Sequence, residues 1–364
     1  MKVPFWKPSR DYERQKEEIL GAIDRILSNG ELVLGFGKDI EELEKKFAEY
    51  VGTKHAIMCG GGTHALYLVY RALGFIGKDE IIVPSHTFAA TFDQIVALGA
   101  TPVFIDINEY GVMDTDLIKS CITPLTKAIV PVHLEGKMVD MDALMRVAEE
   151  YDILVIEDAA QALGAEWKGR KAGSIGVAGC FSLFPAKIFG GVGNAGMVTT
   201  DDDELAEEVR MLRCNFNLGK NPNLEAGYGM NMEPDNIQAA VLNVKFPLHK
   251  ANLERRKDIA LRYDEAFKDL PIKLPGRQIG RVYQDYVIRV PKGKKEFVEY
   301  LKEKEIGILG HNLVPHHDYL YLGVPYLPVT DRYIKEQIRI PCNHNLTDEE
   351  VNYVIETIKT YDKW

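Results

Sequence analysis

The sequence has few cysteines, no long apolar run and no excess of basic residues. Its five cysteines are widely spaced, and none of them forms a CxxC pair. An odd number of isolated cysteines does not build a disulfide framework, so we expect the reducing environment of the cytoplasm. The opening residues, MKVPFWKPSRDYERQ, contain no apolar segment of the kind found in a secretory signal peptide, so none is expected.

The other absences exclude two further classes of protein. No stretch approaches the roughly 20 apolar residues that a membrane-spanning helix requires, so we expect no membrane partner. The formal net charge is −10, whereas nucleic-acid-binding proteins usually carry a basic surface, so we expect no nucleic-acid partner. A chain of 364 residues with 46% hydrophobic residues has room for one large and one smaller globular domain.

Apolar strand-like runs alternate with amphipathic helical patterns along the first half of the chain. The strand-like runs read HAIMC, EIIVPS, PVFIDI, AIVPVH and ILVIED, and helical patterns over residues 10–28 and 38–50 precede them. This alternation predicts an α/β fold, in which a mostly parallel sheet has helices on both faces. Ligands of such sheets bind at the carboxyl ends of the strands.

Five residues that could contact a ligand come just after these strands, namely Thr63, Phe88, His133, Asp158 and Gln161. Their common position predicts a binding site at one edge of the sheet. Taken singly, each has a simpler interpretation. Phe88 could be a core residue, His133 a structural histidine and Asp158 a helix cap.

The stretch CFSLFPAK contains a single lysine, Lys187, and the upstream strand ILVI ends in two acids, Glu157 and Asp158. Pyridoxal phosphate (PLP) chemistry requires a lysine that forms a Schiff base and an acid that keeps the pyridine nitrogen protonated. We therefore expect a PLP enzyme. A hydrolase that uses Ser182 with Lys187 does not fit these surroundings.

Two glycine-rich segments flank the candidate site. GGGTHAL leads into a helix, and it could form half of a phosphate cradle or simply a flexible helix start. After the lysine, Gly191, Gly193 and Gly196 match GxGxxG, the fingerprint of dinucleotide-binding proteins. That fingerprint must open a helix, but here the glycines run into the strand-like MVTT, so we predict a tight loop beside the lysine instead.

The second half of the chain predicts a domain boundary near residue 248. Long helical patterns cover residues 236–266, with Pro247 as a break. We expect a large PLP-binding domain over residues 1–248 and a smaller α+β domain over residues 249–364. The smaller domain would contain the strand QDYVIRV, the helix KKEFVEYLKEKE and a last helix near the end of the chain.

Two long loops are candidates for functional segments. One is the Asn- and Gly-rich stretch 214–235, and the other is the Pro- and His-rich stretch 310–328. The histidines of the second loop have no neighbouring carboxylate or cysteine to complete a ligand set, so we expect no metal site.

The motifs resemble, in order and over essentially the whole chain, those of the DegT/StrS sugar aminotransferases. These are PLP enzymes with the aspartate aminotransferase-like fold. The matching stretches are GGGTHAL, DEIIVPSHTFAAT, GATPVFIDI, TKAIVPVHLEG, MDALMRVAEEYDILVIEDAAQALGA, FSLFPAK and DNIQAAVL. The resemblance implies that fold, with PLP as cofactor.

The resemblance implies a role for each candidate residue at the cofactor. Lys187 would form the Schiff base and later move the proton between the cofactor and substrate carbons. Asp158 would pair with the pyridinium nitrogen. The other implied contacts are Gln161 at the ring hydroxyl, Phe88 on the ring face, and Gly62, Thr63 and Ser182 at the phosphate.

The resemblance also implies contacts to substrate and to a second subunit. Asn231 falls where the family reaches the partner's phosphate, which implies a homodimer with shared active sites. His311, Asn312 and Glu233 fall in stretches expected to contact substrate.

Four residues depart from the family's usual pattern. Asn194 lies in GNAG instead of GDGG, and Gly61 replaces the serine of SGT. Asn312 replaces a tyrosine, and Glu233 replaces the arginine of GYNSR. Glu233 reverses a charge that is expected to face substrate, so the donor and acceptor contacts stay open while the cofactor residues follow the pattern.

The resemblance implies an aminotransferase that moves an amino group from glutamate to a keto sugar, linked to a nucleotide. Two half-reactions on one cofactor predict ping-pong kinetics. The context FPAKIFGG resembles the relatives that aminate C3 more than those that aminate C4, so the resemblance favours C3. Three alternatives stay open: an enzyme acting on a cyclitol, a sugar dehydratase, and a PLP-binding regulatory or sensor protein without turnover. The known dehydratase variant has histidine where this chain has Lys187, which favours transamination.

Overall fold

The computed structural model describes residues 1–31, 37–214, 229–310 and 326–364. Its helices are α1 (Pro8–Arg14), α2 (Lys16–Asn29), α3 (Lys38–Val51), α4 (Gly62–Ala72), α5 (Ala90–Ala97), α6 (Ile118–Cys121), α7 (Met141–Tyr151), α8 (Asp203–Leu212), α9 (Asn236–Lys245), α10 (His249–Phe267), α11 (Lys294–Glu303), α12 (Pro328–Glu336) and α13 (Asp348–Lys359). Its strands are β1 (His55–Cys59), β2 (Glu80–Pro84), β3 (Thr101–Ile105), β4 (Thr126–Ile129), β5 (Leu154–Asp158), β6 (Glu166–Trp167), β7 (Arg170–Lys171), β8 (Ala178–Ser182), β9 (Gly196–Thr200), β10 (Tyr286–Arg289) and β11 (Gln337–Ile340).

A seven-stranded sheet forms the centre of the molecule, in the order β1-β9-β8-β5-β4-β2-β3. Strands β8, β5, β4, β2 and β3 pair in parallel, whereas β9 runs antiparallel to both of its neighbours. The mostly parallel α/β sheet predicted from the sequence is therefore confirmed. The carboxyl ends of β2, β5 and β8 lie on the same edge of this sheet, which is where the site is built.

Helices cover the two faces of this sheet and bury a separate hydrophobic core on each. One core takes its side chains from α3, α7 and α9, and the other takes them from α4, α5 and α8. Strand β9 is buried along its whole length. A sheet covered on both faces explains why the strands read as apolar runs instead of alternating patterns.

The single helix predicted over residues 10–28 is wrong. The structure has two helices there, α1 and α2, which are separated at Gln15 with φ −130°. The Gln15 side chain donates a hydrogen bond to the carbonyl of Val244 at 3.0 Å, at the end of α9. This tertiary contact overrides the continuous helical pattern. The predicted end of α2 at Asn29-Gly30 is confirmed, because Gly30 adopts the left-handed φ of 70° that terminates helices.

The C-terminal part of the chain has a third hydrophobic core, formed where α10, α11 and α13 pack on the antiparallel pair β10–β11. The N-terminal Val3 is fully buried in this core and forms an isolated parallel bridge with Ile306. The predicted break at Pro247 is confirmed, since a short 3-10 turn, Phe246–Leu248, separates α9 from α10. The domain boundary at residue 248 stays a prediction. Helix α12 and strand β11 were not predicted.

The length and polarity of the helices show whether any of them could cross a membrane. Within the described ranges, no helix combines the length and the apolar character needed to cross a bilayer.

Arg256 connects α10 to the C-terminal sheet. Its Nη1 donates hydrogen bonds to the carbonyls of Tyr283, Gln284 and Cys342 at 3.0, 3.0 and 2.9 Å. Arg256 is buried, as are Tyr283 and Cys342, so the carbonyls of these two residues have little access to bulk water. Arg256 therefore fixes the chain that enters β10, and that segment reaches the candidate site.

We expect Arg256→Met to lower the free energy of unfolding by about 3 kcal/mol, because buried carbonyls would lose a charged donor. The matched control is Arg262→Met on the same helix, where the partly exposed arginine pairs with Asp348 at 2.6 Å. An exposed pair contributes less than about 1 kcal/mol. Urea unfolding of both variants measures the difference, and equal losses would contradict the role of Arg256.

Candidate active site

A cavity of about 420 Å³ opens at the carboxyl ends of the central strands. Seven of the residues predicted from the sequence line it together, namely Gly62, Thr63, Phe88, Asp158, Gln161, Ser182 and Lys187. Phe88 is 70% exposed and so is not a core residue, which removes the simpler interpretation of that side chain.

The other predicted residues lie elsewhere. Asn231 is exposed and Glu233 is half-buried, and neither lines the cavity formed by the described residues. His311 and Asn312 lie outside the described residues. Asn194, one of the departures from the family pattern, does line the cavity.

Asp158 ends β5 at the base of the cavity. Its Oδ2 accepts a hydrogen bond from the Thr91 hydroxyl at 2.7 Å, and its Oδ1 accepts one from the Ala160 N–H at 3.1 Å. Burial raises the pKa of this carboxyl, although the Thr91 hydroxyl, the Ala160 N–H and the charge of Lys187 oppose the rise. A buried carboxylate in this state gains stability from a cation placed beside it.

The neighbouring acid, Glu157, has a structural role on the opposite face of β5. It accepts hydrogen bonds from the backbone N–H groups of Gly173, Ile175 and Gly176 at 2.6–2.9 Å. It also pairs with His133 Nε2 at 2.9 Å. Burial would raise the pKa of Glu157, but these donors hold it below the usual value.

His133 is a structural histidine. Both His133 and Glu157 are fully buried. The His133 Nδ1 accepts a hydrogen bond from the Val139 N–H at 3.3 Å, so Nε2 carries the proton that is donated to Glu157. Residues on either side of His133 line the cavity, but His133 itself does not.

Lys187 sits on a turn that a distant glutamine holds in place. The Gln284 side chain accepts from the Ile188 N–H at 2.7 Å and donates to the Ala186 carbonyl at 3.0 Å. These two hydrogen bonds fix the positions of the residues on both sides of Lys187. The turn also begins tightly, because the Lys187 N–H donates to the Phe184 carbonyl at 2.8 Å.

The Lys187 side chain is available for chemistry. It is half-buried, and its ammonium makes no hydrogen bond within the described part of the chain. Burial lowers the pKa of this ammonium; the Asp158 and Asp285 carboxylates oppose the shift, and Arg339 adds to it. A lowered pKa increases the fraction of Lys187 that is the neutral, nucleophilic amine at a given pH.

The glycine loop after the lysine packs against α9. The Gln238 side-chain oxygen accepts from the N–H groups of Val192 and Gly193 at 3.0 and 3.1 Å. The Lys245 ammonium donates to the Gly190 carbonyl. The predicted tight loop beside Lys187 is thus anchored by two polar side chains of one helix.

The N-terminus of α4 forms a cradle with Ser182. A Cβ on Gly62 would lie 2.8 Å from the Ser182 Cβ, and a Cβ on Gly196 would lie 2.3 Å from the Gly61 carbonyl oxygen. Only glycine permits these approaches. The first turn of α4 and Ser182 therefore lie side by side in the cavity lining, an arrangement that suits an anion.

Gln161 is oriented by the turn after His133. Its side-chain oxygen accepts from the Glu135 N–H at 2.8 Å, which leaves the amide NH₂ as a donor at the cavity wall. Glu135 itself adopts a left-handed φ of 59°. A strained backbone at this position fixes where Gln161 points.

Several residues at the site were missed by reasoning from the sequence. Thr91 is the second residue of α5, and Gln284 is 96 residues from Ile188 in the turn that it holds. His64, within the quoted GGGTHAL, lines the cavity with a buried Nδ1 that lacks a partner in the described ranges. Only His64 had a signal in the sequence, because it falls in the first turn of a helix already assigned to phosphate.

The fold and site define an enzyme of the aspartate aminotransferase-like class. A model of the DegT/DnrJ/EryC1/StrS aminotransferase family matches residues 13–359. The chain therefore belongs to this family of PLP-dependent aminotransferases.

Curated relatives support this membership over nearly full length. A pleiotropic regulatory protein of Geobacillus stearothermophilus is 36% identical, with 99% of each chain covered. A dTDP-3-amino-3,4,6-trideoxy-alpha-D-glucose transaminase of Micromonospora megalomicea subsp. nigra is 34% identical, covering 99% of this chain and 98% of the relative.

Solved structures agree in fold. S. venezuelae DesV, in complex with a ketimine intermediate, superposes with a TM-score of 0.92 at 35% identity, with 98% of each chain covered. Structural neighbours also include complexes with pyridoxamine phosphate.

The residues of the cavity fit PLP. The cradle at Gly62 and Ser182 accepts a phosphate, the buried Asp158 suits a protonated ring nitrogen, and Lys187 is free to bond to an aldehyde. When bound, PLP supplies an electron sink for a carbanion at the substrate carbon. The protein supplies orientation, a buried counter-charge and a proton carrier at Lys187 Nζ.

We expect Gly62→Ala to weaken PLP binding by about tenfold or more, because its Cβ would clash with Ser182 and move the helix N-terminus away from the phosphate. The matched control is Gly61→Ala, since a Cβ on Gly61 meets no atom within 4 Å. Titration of each apoprotein with PLP, followed by absorbance, gives the dissociation constants. Equal affinities for both variants would contradict the cradle.

Proposed function

We propose that this protein transfers an amino group from glutamate to a nucleotide-linked keto sugar, with C3 favoured over C4. The observation that carries the proposal is one cavity lined by both the buried carboxylate of Asp158 and Lys187, whose ammonium has no hydrogen-bond partner among the described residues. This pair, with an anion cradle in the same cavity, supports PLP-dependent transamination.

Lys187 acts as the proton carrier in the proposed reaction. In the first half-reaction it would remove the proton from the α-carbon of the donor and deliver it at the cofactor carbon, and hydrolysis by water would release 2-oxoglutarate. In the second half-reaction the amino group would pass to the keto sugar, whose carbonyl oxygen leaves as water, and Lys187 would move the proton in the opposite direction. A lysine with a lowered pKa suits both directions, because its neutral amine accepts and its ammonium donates.

The sugar substrate is inferred from the relatives. The transaminase of Micromonospora is named for a dTDP-linked 3-amino sugar, which supports amination at C3. Phe88 and Phe184 line the cavity and are 70% and 46% exposed. Exposed aromatic rings at a cavity mouth suit stacking against a planar ring of a ligand.

A second candidate function is regulation without turnover. The Geobacillus relative is named a pleiotropic regulatory protein, although it is as similar to this chain as the transaminases are. The residues for transamination are present here, so a regulatory role would have to coexist with a working cofactor site or leave that site unused.

We further propose a homodimer in which each site receives residues from the partner subunit. Asn231 is exposed, although the next residue, Met232, is buried and its carbonyl accepts from the Gly60 N–H at 2.9 Å. Asn231 thus stands on the surface beside the glycine loop of its own cradle. Met230 is also 42% exposed, so an apolar side chain is available for contact beside Asn231.

The first test is the visible absorption spectrum of the PLP-loaded protein with and without glutamate. We expect the cofactor band to bleach with glutamate and to return with 2-oxoglutarate. Lys187→Ala should slow this change by at least about 10²- to 10⁴-fold, because the proton carrier is lost. Lys119→Ala, at an exposed lysine paired with Glu150, is the control and should behave as wild type.

A wild-type band that ignores glutamate and every other amino donor would favour regulation over catalysis. Turnover by Lys187→Ala at the wild-type rate would refute the assignment of the lysine.

The shared site predicts that Asn231→Ala weakens PLP retention about tenfold, because one charge-assisted hydrogen bond to phosphate would be lost. Equilibrium dialysis measures the dissociation constant, and sedimentation shows whether the variant stays dimeric. An unchanged constant in an intact dimer would rule out the contribution of Asn231.

A further inference from the structure

A left-handed turn follows His133 at the wall of the cavity. It spans Leu134–Gly136, and Glu135 and Gly136 have positive φ values of 59° and 83°. Glu135 is fully buried, whereas the other described non-glycine residues with a positive φ are exposed, namely Asp152, Lys168 and Glu305. A glycine adopts this conformation without strain, so a buried glutamate here indicates that its side chain contributes something a glycine lacks.

The Glu135 side chain forms an ion pair with Lys137, and we call these two residues the buried pair. The Glu135 Oε2 lies 2.7 Å from the Lys137 ammonium, and the side chains are 0% and 3% exposed. Burial raises the pKa of Glu135, but the charges of Lys137 and Arg339 hold it below the usual value, so the carboxylate stays ionised. The Lys137 ammonium also donates to the Tyr110 carbonyl and, at 3.2 Å, to the Tyr333 hydroxyl. The buried pair therefore fastens the turn to α12.

The backbone is also fixed on the C-terminal side of Glu135. The Gly136 carbonyl accepts from the Val282 N–H at 3.1 Å, and a Cβ on Gly136 would collide with the Val282 carbonyl. The Gln278 side chain accepts from the Met138 N–H at 2.9 Å and donates to the Met138 carbonyl at 2.8 Å. Because the chain after Glu135 is held in this way, the φ of Glu135 decides where its own N–H points.

That N–H contacts a residue that lines the cavity. It donates to the Gln161 side-chain oxygen at 2.8 Å. With its oxygen occupied, the Gln161 amide presents its NH₂ donor to the cavity. Without this bond the amide could turn over and present an oxygen, which cannot donate a hydrogen bond. The conformation of Glu135 thus controls whether Gln161 offers a donor or an acceptor.

We propose that the buried pair positions Gln161 by holding the Glu135 N–H toward it. Glu135 and Lys137 do not line the cavity, so they are positioning residues and not ligands of the cofactor. A buried ion pair adds little net stability, and its best-supported use is to select one conformation. The inference deepens the proposed function, because it rests on Gln161 donating to the ring hydroxyl of PLP.

The test compares two double variants that differ only at residue 135. Glu135→Gln/Lys137→Met removes both charges together, so no single buried charge is left alone. We expect its dissociation constant for PLP to rise about tenfold, because a side chain remains at the strained φ without the ion pair that holds it there. Absorbance titration of the apoprotein with PLP measures this constant.

Glu135→Gly/Lys137→Met is the matched rescue variant. It also lacks the ion pair, but glycine adopts the left-handed φ without strain. PLP affinity should therefore return to within about threefold of wild type. A pair that served only the stability of the fold would predict no such recovery.

Gln161→Ala shows whether the buried pair acts through Gln161. We expect this variant to weaken PLP binding about tenfold and to shift the absorption band of bound PLP, because a hydrogen bond to the ring is lost. Glu135→Gln/Lys137→Met should shift the band in the same direction. Combining the three substitutions should cost no further affinity, since the same contact is lost only once.

The control for the loss of an ion pair is Arg10→Met/Glu350→Gln. This pair joins α1 to α13 at 2.6 Å, its Glu350 side chain is 8% exposed, and neither residue lines the cavity. The control should be less stable in urea but should bind PLP with the affinity and the absorption band of wild type. Urea unfolding of every apoprotein also shows which variants are folded.

Wild-type PLP affinity and absorption in Glu135→Gln/Lys137→Met would overturn the inference. Losses that add in full to those of Gln161→Ala, or that persist in the glycine variant, would also overturn it. An unchanged PLP affinity and band in Gln161→Ala would leave no contact to position, with the same result. No amino donor enters these measurements, so a wild-type protein that binds PLP but ignores every donor would overturn the proposed transamination alone.

Discussion

The structure depends on two hydrogen bonds by which one glutamine side chain holds the turn that carries Lys187. Gln284 bonds to the residues on both sides of that lysine, and Arg256 fixes the carbonyl of Gln284 from behind. The reactive side chain of the large sheet is thus positioned by a segment of the C-terminal part of the chain. Because Asp285 follows directly, the same segment supplies a carboxylate that lies 3.6 Å from Arg339 of β11 and whose charge opposes the lowering of the Lys187 pKa.

Two adjacent acids on β5 illustrate how the sheet separates stability from chemistry. Successive residues of a strand point to opposite faces, so Glu157 and Asp158 meet different surroundings. Glu157 is enclosed by backbone donors and His133, which hold its pKa low and leave it no capacity for a ligand. Asp158 has fewer donors and a raised pKa, so a cation in the cavity is its natural partner.

Much of the site could be predicted from the sequence, because its residues follow strand ends or helix starts. Asp158 and Thr63 are examples, since local pattern decides where β5 ends and α4 begins, whereas Ser182 was implied by the family resemblance. Thr91 and Gln284 could not be predicted. Their roles depend on which side chain reaches across the fold, and no local spacing records that. The prediction of one continuous helix over residues 10–28 failed for the same reason, because the contact between Gln15 and Val244 decides where that helix breaks.

The sequence by itself determined the α/β class, the strand-end site, the lysine and the acid that suit PLP, since each follows from local periodicity or a short motif. Only the tertiary structure decided that His133 is structural, that Phe88 is exposed at the cavity, and that Gln284 holds the turn of Lys187. The physical reason is that burial and charge proximity are properties of the packed chain. Burial and charge proximity are defined only once segments that are far apart in sequence have packed together.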